Sequence, residues 1–409
     1  MKTWKLAAGL LLSVALPSAA CATDLEVTHW WTSGGEAAAV AELAKAFDAS
    51  GDHWVDGAIA GGGDTARPVM IARITGGDPM GATQFNHGQQ ALELVQAGLM
   101  LDLTDVAEAQ KWREVVNPIS LLDGCTIDGK VYCAPMNIHS PEWLWINNKI
   151  YEDLGIPVPQ NWTEFVASAP QVEAAGKIPL ALGRQAWQSN LAFNAIAVGI
   201  GGLDLWKKVN VDKDMDAAAG PEMLKVFQAS ADARKLASKS TVQDWNQATN
   251  MVITGEAAGQ IMGDWAQGEF AVAGKVAGKD YTCLPGLGLN AYLSTGGDAF
   301  YFPKLTDPDQ EAAQKRLAAL LVSPEVQVAF NLKKGSLPIR GDIDMSAAND
   351  CMKKGLEILK SGNVVPAGDQ VWSPDVQTQL GDMQSEFWSG DMTPEDAQAR
   401  YVEILKSGL

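Results

Sequence analysis

Apolar and polar residues alternate over Leu25-Glu26-Val27-Thr28, the pattern of a strand with one buried face. Beyond Gly34-Gly35 the spacing changes, and Val40, Leu43 and Phe47 recur as they would on one side of a helix. Trp30-Trp31 therefore fall where a strand ends and a helix begins. The same changes of period predict strands at 55–60 and 82–85, with helices at 64–74 and at 89–96, the latter closed by Gly98. Asp128-Gly129 predicts a tight turn feeding a strand that ends at Pro135. Trp143-Leu144-Trp145-Ile146-Asn147 predicts a strand whose two tryptophans share a face, and Asn161 or Thr163 stands where a helix cap is expected.

The second half continues in this manner. A helix is expected at 245–253, ended by Gly255, then a strand at 257–262 with Gly263-Asp264-Trp265 at its carboxyl end. A further strand is expected at 299–303, preceded by Gly296-Gly297-Asp298. Strands alternating with helices indicate an α/β fold, and in open α/β sheets ligands gather at the carboxyl ends of strands. No internal repeat of solenoid period interrupts the pattern.

The first residues depart from it. Lys2 and Lys5, an apolar run over 6–16, Pro17 and the small residues Ala20-Cys21-Ala22 have the layout of a signal peptide over 1–22, so that the mature chain begins near Thr23 and is exported. Cys21 raises lipidation as a competing possibility, although Ser18-Ala19-Ala20 before it lacks the leucine of the usual lipidation pattern. The apolar stretch at 191–205 is interrupted by Asn194 and Asp204 and does not read as a membrane span. The formal net charge of −18 becomes more negative once the two leader lysines are gone, which argues against a nucleic-acid partner and identifies no ligand. A mature length near 387 of the 409 residues predicts two domains or one discontinuous pair.

Four cysteines remain after cleavage, an even number in an oxidising compartment. Three pairings are possible. The Asp128-Gly129 turn favours Cys125 with Cys133, which leaves Cys283 with Cys351. No cysteine pair has the spacing of a zinc site, and no metal or other cofactor is expected.

Sequence templates for a nucleophile elbow, a phosphate loop, a zinc protease helix and a dinucleotide fingerprint are all missing. What remains is a set of aromatic, acidic, amide and basic residues at expected loops: Trp30, Trp31, Glu36, Asn86, His87, Trp187, Trp245, Asn246, Asp264, Trp265, Asp298 and Lys334. Flat aromatic faces suit the C–H surface of a sugar ring, and carboxylates and amides suit paired hydroxyls at its edge. The chain holds 14 Trp against 6 Tyr and 10 Phe, and several of those tryptophans stand beside acids, which strengthens the joint reading. One tryptophan of the pair at 30–31 can equally serve as core packing, and Glu36 as a first-turn acid facing the helix dipole. A secreted carbohydrate-active hydrolase using two of Glu36, Asp264 and Asp298 is the competing reading, since the spacing of a glycosidase pair is spatial and not linear.

Trp30-Trp31 with Glu36, Ala97-Gly98-Leu99-Met100-Leu101-Asp102-Leu103-Thr104 and Pro135-Met136-Asn137-Ile138-His139 resemble motifs of the extracellular solute-binding proteins of ABC sugar importers, glucose/mannose-binding type. Asn161-Trp162-Thr163-Glu164-Phe165, Met262-Gly263-Asp264-Trp265 and Lys334-Gly335-Ser336-Leu337-Pro338-Ile339-Arg340 extend the resemblance over essentially the whole mature chain. It implies two α/β lobes around a ligand cleft, joined by a hinge near Met136-Asn137, Ser294-Thr295 and Pro338 to Arg340. The lobes would comprise residues 23–136 with 295–339, and 137–294 with 340–409. It also implies Trp30 or Trp31 as a stacking platform and Glu36, Asp298 and Lys334 as hydroxyl partners. Asn86 and His87 would approach from the first lobe, and Trp187, Trp245, Asn246, Asp264 and Trp265 mainly from the second. One departure stands out, because glucose-binding members often carry a histidine where this chain has Gly368-Asp369, making Asp369 a further candidate ligand residue. The implied protein is a monomeric, non-enzymatic receptor for a small neutral sugar, located in the periplasm. Its partner would be an ABC transporter membrane permease or, in a variant the sequence does not separate from import, a chemoreceptor.

Overall fold

The computed structural model describes residues 22–409. The export segment, apart from its last residue, and the Cys21 lipidation reading lie outside the described residues.

A five-stranded sheet has the order β2-β1-β3-β12-β6, formed by β1 (Asp24–His29), β2 (His53–Ala58), β3 (Ala82–Asn86), β6 (Cys133–Pro135) and β12 (Asp298–Tyr301). Its first three strands are parallel, and β12 runs antiparallel between β3 and β6. A second sheet, β10-β7-β9-β8, comprises β7 (Trp143–Asn147), β8 (Ile178–Ala181), β9 (Ala257–Met262) and β10 (Tyr281–Pro285). All six residues of β9 are buried, including Gln260, which bonds the Thr249 hydroxyl and the Trp245 carbonyl, so its sequence shows no alternation of apolar and polar positions. Each sheet is the centre of an α/β lobe.

Local chemistry sets the helix starts. Ser33 and Glu36 form a reciprocal capping box on α1 (Gly34–Ala49). Asn161 caps the helix Trp162–Ala174 through its side chain, and Asp244 with Gln247 does the same for Trp245–Thr254, which Gly255 ends in a left-handed turn. α2 (Gly63–Gly76) matches its expected position, with one residue added at its start and two at its end. Three expected elements shift, one of them the strand expected at 299–303, which forms over Asp298–Tyr301. β2 begins at His53, ahead of the expected 55, because parallel pairing from Asp24 with His53 to His29 with Ala58 fixes its register. The helix expected at 89–96 forms only over Leu92–Gln96, because the Gln90 side chain accepts the Asn86 backbone N–H at 3.0 Å and turns the chain back onto β3.

The core explains several tryptophans. Trp31 is 2% exposed, with its ring 5.1 Å from Phe330 and 5.7 Å from Phe300. Trp143 and Trp145 stack at 5.7 Å on one face of β7, and Trp145 continues onto Phe270. Among the described residues no helix is long and apolar enough to cross a membrane.

Three chain segments run between the sheets. The first follows β6, where Ile138 forms a bridge with Leu337. The second carries β11 (Leu293–Ser294), which pairs in parallel with β13 (Val364–Val365). The third leaves the helix Pro324–Lys334 for the C-terminal helices, and Arg340 on it bridges to Val116.

Both disulfides are present as the turn argument favours. Cys125–Cys133, with Cα atoms 5.0 Å apart, spans the hairpin of β4 (Thr126–Ile127) and β5 (Lys130–Val131), and Cys283–Cys351 ties β10 to the helix Asp350–Ser361 across a separation of 68 residues. In the chain-entropy picture the longer loop constrains the unfolded state more. Replacing Cys283 and Cys351 by Ser should lower stability by about 4 kcal/mol, against about 2.5 kcal/mol for Cys125 and Cys133. Urea unfolding of the two double mutants compares them, and equal midpoints would contradict the loop-length account.

Candidate functional site

Between the two sheets lies a cleft of about 710 Å³. One wall comes from the ends of first-sheet elements: Trp30 just past β1, Arg67 on α2 and Asn86 at the end of β3. Trp30 is half-buried and carries the Arg67 guanidinium 5.9 Å from its ring centre. The opposite wall is an aromatic group around Trp265, with Trp187 at 6.4 Å, Trp245 at 6.3 Å and the His139 ring at 5.5 Å. Asn246, Asn190 and Asn194 add amides, and Trp372, Gln377 and Asp382 extend this wall from the C-terminal helices. The walls meet closely at Gly62, where an added Cβ would stand 3.9 Å from the Trp187 indole nitrogen.

The charged floor is internally paired. The Lys334 ammonium bonds Glu36 at 2.7 Å, both buried, and lies 5.6 Å from the Trp31 ring and 5.8 Å from the Trp265 ring. Asp298 accepts from Gln84 at 2.7 Å and Asn137 at 3.0 Å, and stands 3.3 Å from the His139 ring. Burial alone would raise its carboxyl, but the charge and hydrogen bond of His139, then Lys334 and Gln84, hold it down at about 2. Asp64 pairs with Arg67, and Asp244 accepts from Gln185, whose own oxygen accepts the Trp187 indole N–H. Such a surface offers flat apolar faces and directed hydrogen bonds, with acids outnumbering cations along its lining. Among the described residues no cluster of three or more His, Cys, Asp or Glu is placed to hold a metal ion.

Trp30, Trp31, Glu36, Asn86, Trp187, Trp245, Asn246, Trp265, Asp298 and Lys334 all line this cleft. Trp31 does so as a buried core residue beneath Lys334. His87 and Asp264 are not on its surface. His87 is 1% exposed, with its Nδ1 3.1 Å from the Gln370 amide. Asp264 is also 1% exposed and accepts from the Ser140 backbone and hydroxyl at 3.0 and 3.2 Å, so it braces the segment joining the sheets. The backbone of Asp369 lies in a short helix, Gly368–Val371, whose first residue lines the cleft. Sequence reasoning missed Gln84 and Asn137, which hold Asp298, and the amides Asn190 and Asn194. Two amides one helical turn apart, on the same side of the helix Ala186–Asn210, were a readable signal for the latter.

A hydrolytic pair does not assemble here. Glu36 is engaged by Lys334 and Asp298 is held ionised. Asp264, the carboxyl among the three with a raised pKa, faces away from the cleft. Burial pushes it up to about 7, against the Ser140 bonds and the nearby His139 and Lys334.

These shifts set a pH dependence. Between about pH 4 and 7 folded Asp264 keeps a proton that the unfolded chain has lost, so its contribution to stability is full below about pH 4 and disappears as pH rises through 7. His87 acts in the opposite direction. Burial, then His139, push it down to about 3 from 6.5, so its contribution is full above 6.5 and disappears as pH falls through 3. Asp264→Asn removes the first effect only, and the melting temperature of the variant relative to the wild type should climb steadily from pH 4 to 7. A difference constant across that range would refute the assignment.

The sequence model for bacterial extracellular solute-binding proteins matches residues 31–328. Over 404 residues the chain is 34% identical to a probable sugar-binding periplasmic protein of Rhizobium meliloti (strain 1021), covering 97% of each. Over 364 residues it is 38% identical to a protein of the same description from Mesorhizobium japonicum, covering 88% of this chain and 87% of that one. A solved chitin oligosaccharide binding protein superposes with a TM-score of 0.76 at 20% identity over 95% of this chain and 99% of its own, which shows a shared fold. All three are described as binding proteins. With two α/β lobes around a cleft and these relatives, the chain belongs to the bacterial extracellular solute-binding proteins and is a binding protein, not an enzyme.

Proposed function

We propose that this chain is the periplasmic receptor of an ABC transporter, exported by its N-terminal signal peptide, that captures a monosaccharide-type sugar, glucose or a relative, and delivers it to the membrane permease. The observation that carries the reading is the cleft itself: Trp30 on one wall, the Trp187, Trp245 and Trp265 group on the other, and a floor whose acids are already paired. Stacking on two faces with amides at the edges suits a neutral polyol better than a charged solute. The names of the relatives agree. Gly368-Asp369, standing where glucose-binding members often carry a histidine, alters the hydrogen bonds on offer and favours a relative of glucose over glucose itself.

The lobes in this reading comprise residues 23–136 with 295–339, and 137–294 with 340–409. In support, the strands of one sheet lie within 24–135 and 298–301 and those of the other within 143–285. Ligand held by both walls would draw an open form towards a closed one, since only a differential affinity moves that equilibrium.

Calorimetry against a panel of hexoses and pentoses, with scattering at saturation, should give a micromolar dissociation constant, about 8 kcal/mol, and a reduced radius of gyration. Failure of every sugar to bind, together with turnover of an aryl glycoside, would restore the hydrolase reading, and an unchanged radius would remove the hinge.

The two adjacent tryptophans should separate cleanly. Trp30→Ala should weaken sugar binding by about 3 kcal/mol while melting near the wild-type temperature. Trp31→Ala should instead lose about 3–5 kcal/mol of folding stability. The reverse pattern would show that the stacking face belongs to Trp31.

A further inference from the structure

Behind the cleft lies a second cavity of about 180 Å³, and because His139, Trp187, Leu191 and Asn194 border both spaces, it opens from the cleft wall. It is small for an independent ligand site, which takes about 300–1,000 Å³. It is nevertheless several times the 30 Å³ or so that one water occupies in the liquid. An annex of that size suits a portion of something already held next door. Its far end is formed by Glu142, Tyr292, Ser294 and Val365, the last two on the β11 and β13 pair.

Glu142 is fully buried there. Its Oε1 accepts the Ser294 backbone N–H at 2.5 Å. Its Oε2 has no hydrogen-bond partner among the described residues. A buried polar atom left in that condition is costly, so a fold that keeps one beside a ligand cleft leaves a bond to be made by something that enters. Burial also pushes this carboxyl well above the usual carboxylate range, which favours the protonated form, a donor as well as an acceptor.

We propose that the annex is a second subsite, taking a hydroxyl-bearing unit linked to the ring held in the cleft, with Glu142 Oε2 bonding its hydroxyl. The inference rests on the sugar reading above. It extends the accepted solutes from single rings to sugars lengthened by one hydroxylated unit. Tyr292 and Trp206 supply apolar faces along the annex, as the aromatic group does in the cleft.

The test uses calorimetry at neutral pH with glucose, galactose and mannose, then with maltose, cellobiose, gentiobiose and trehalose. Two variants are compared, Ala367→Phe, which fills the annex, and Glu142→Leu, which removes the carboxyl; both residues border the annex and not the cleft. At least one disaccharide should bind the wild type about tenfold more tightly than its single ring. Ala367→Phe should abolish that advantage, and Glu142→Leu should reduce it about fivefold. Should Glu142→Leu not fold, Ala367→Phe decides alone. Single rings binding while no disaccharide gains, or a disaccharide advantage that survives Ala367→Phe, overturns the subsite and leaves the sugar receptor standing. Absence of binding by any sugar overturns both.

Discussion

The Glu36 to Lys334 contact is a buried ion pair that ties together distant parts of this chain. It joins the first turn of α1 to the last residue of the helix Pro324–Lys334, elements separated by almost 300 residues of chain, at 2.7 Å and out of water. Removing either partner would leave a buried charge alone, an effect worth about 3–5 kcal/mol in such pairs. The ammonium is also framed by Trp31 from the first lobe and Trp265 from the second. The position of α1, the burial of Trp31 and the aromatic wall of the cleft are thus referred to one point charge.

Close backbone packing makes that arrangement possible. An added Cβ on Gly35 would lie 2.4 Å from the Gly268 carbonyl carbon, so α1 and the helix Ala266–Val272 approach as only glycine allows. The Glu269 carboxylate then accepts the Gly35 N–H at 2.6 Å, placing a negative charge at the amino end of α1 from across the junction. A glycine pair and one carboxylate thus hold α1 against the helix Ala266–Val272.

The same residue types that would make a hydrolase make a receptor here because of what each carboxyl faces. Asp298 is the hub of a network with Gln84, Asn137 and His139 that ties β3 to the segment leaving β6, and it is held ionised. Asp264 has the raised pKa of a general acid but spends its bonds on Ser140, away from any substrate. Glycoside hydrolysis would need an ionised carboxylate and a second, protonated carboxyl that both face the substrate.

Local rules determined a good deal of this protein from sequence. The periodicity of 25–28 and 143–147, the cap at Asn161, the Gly255 stop and the Asp128-Gly129 turn each depend on a few neighbouring residues, and the structure has them at those places. The cysteine pairing was legible because that turn brings Cys125 to Cys133. Register and orientation were not legible. β2 starts where its parallel partner dictates, and the choice between Trp30 and Trp31 depends on Phe300 and Phe330, hundreds of residues away. Whether a carboxyl is a ligand group, a strut or an unpaired buried oxygen depends on which distant segment folds over it, as Ser140 does for Asp264 and Ser294 for Glu142. Sequence by itself specified which residues could take part, because propensity and pattern act over a turn or a strand. Only the tertiary structure decided which of them meet, because burial and desolvation are properties of the assembled lobes.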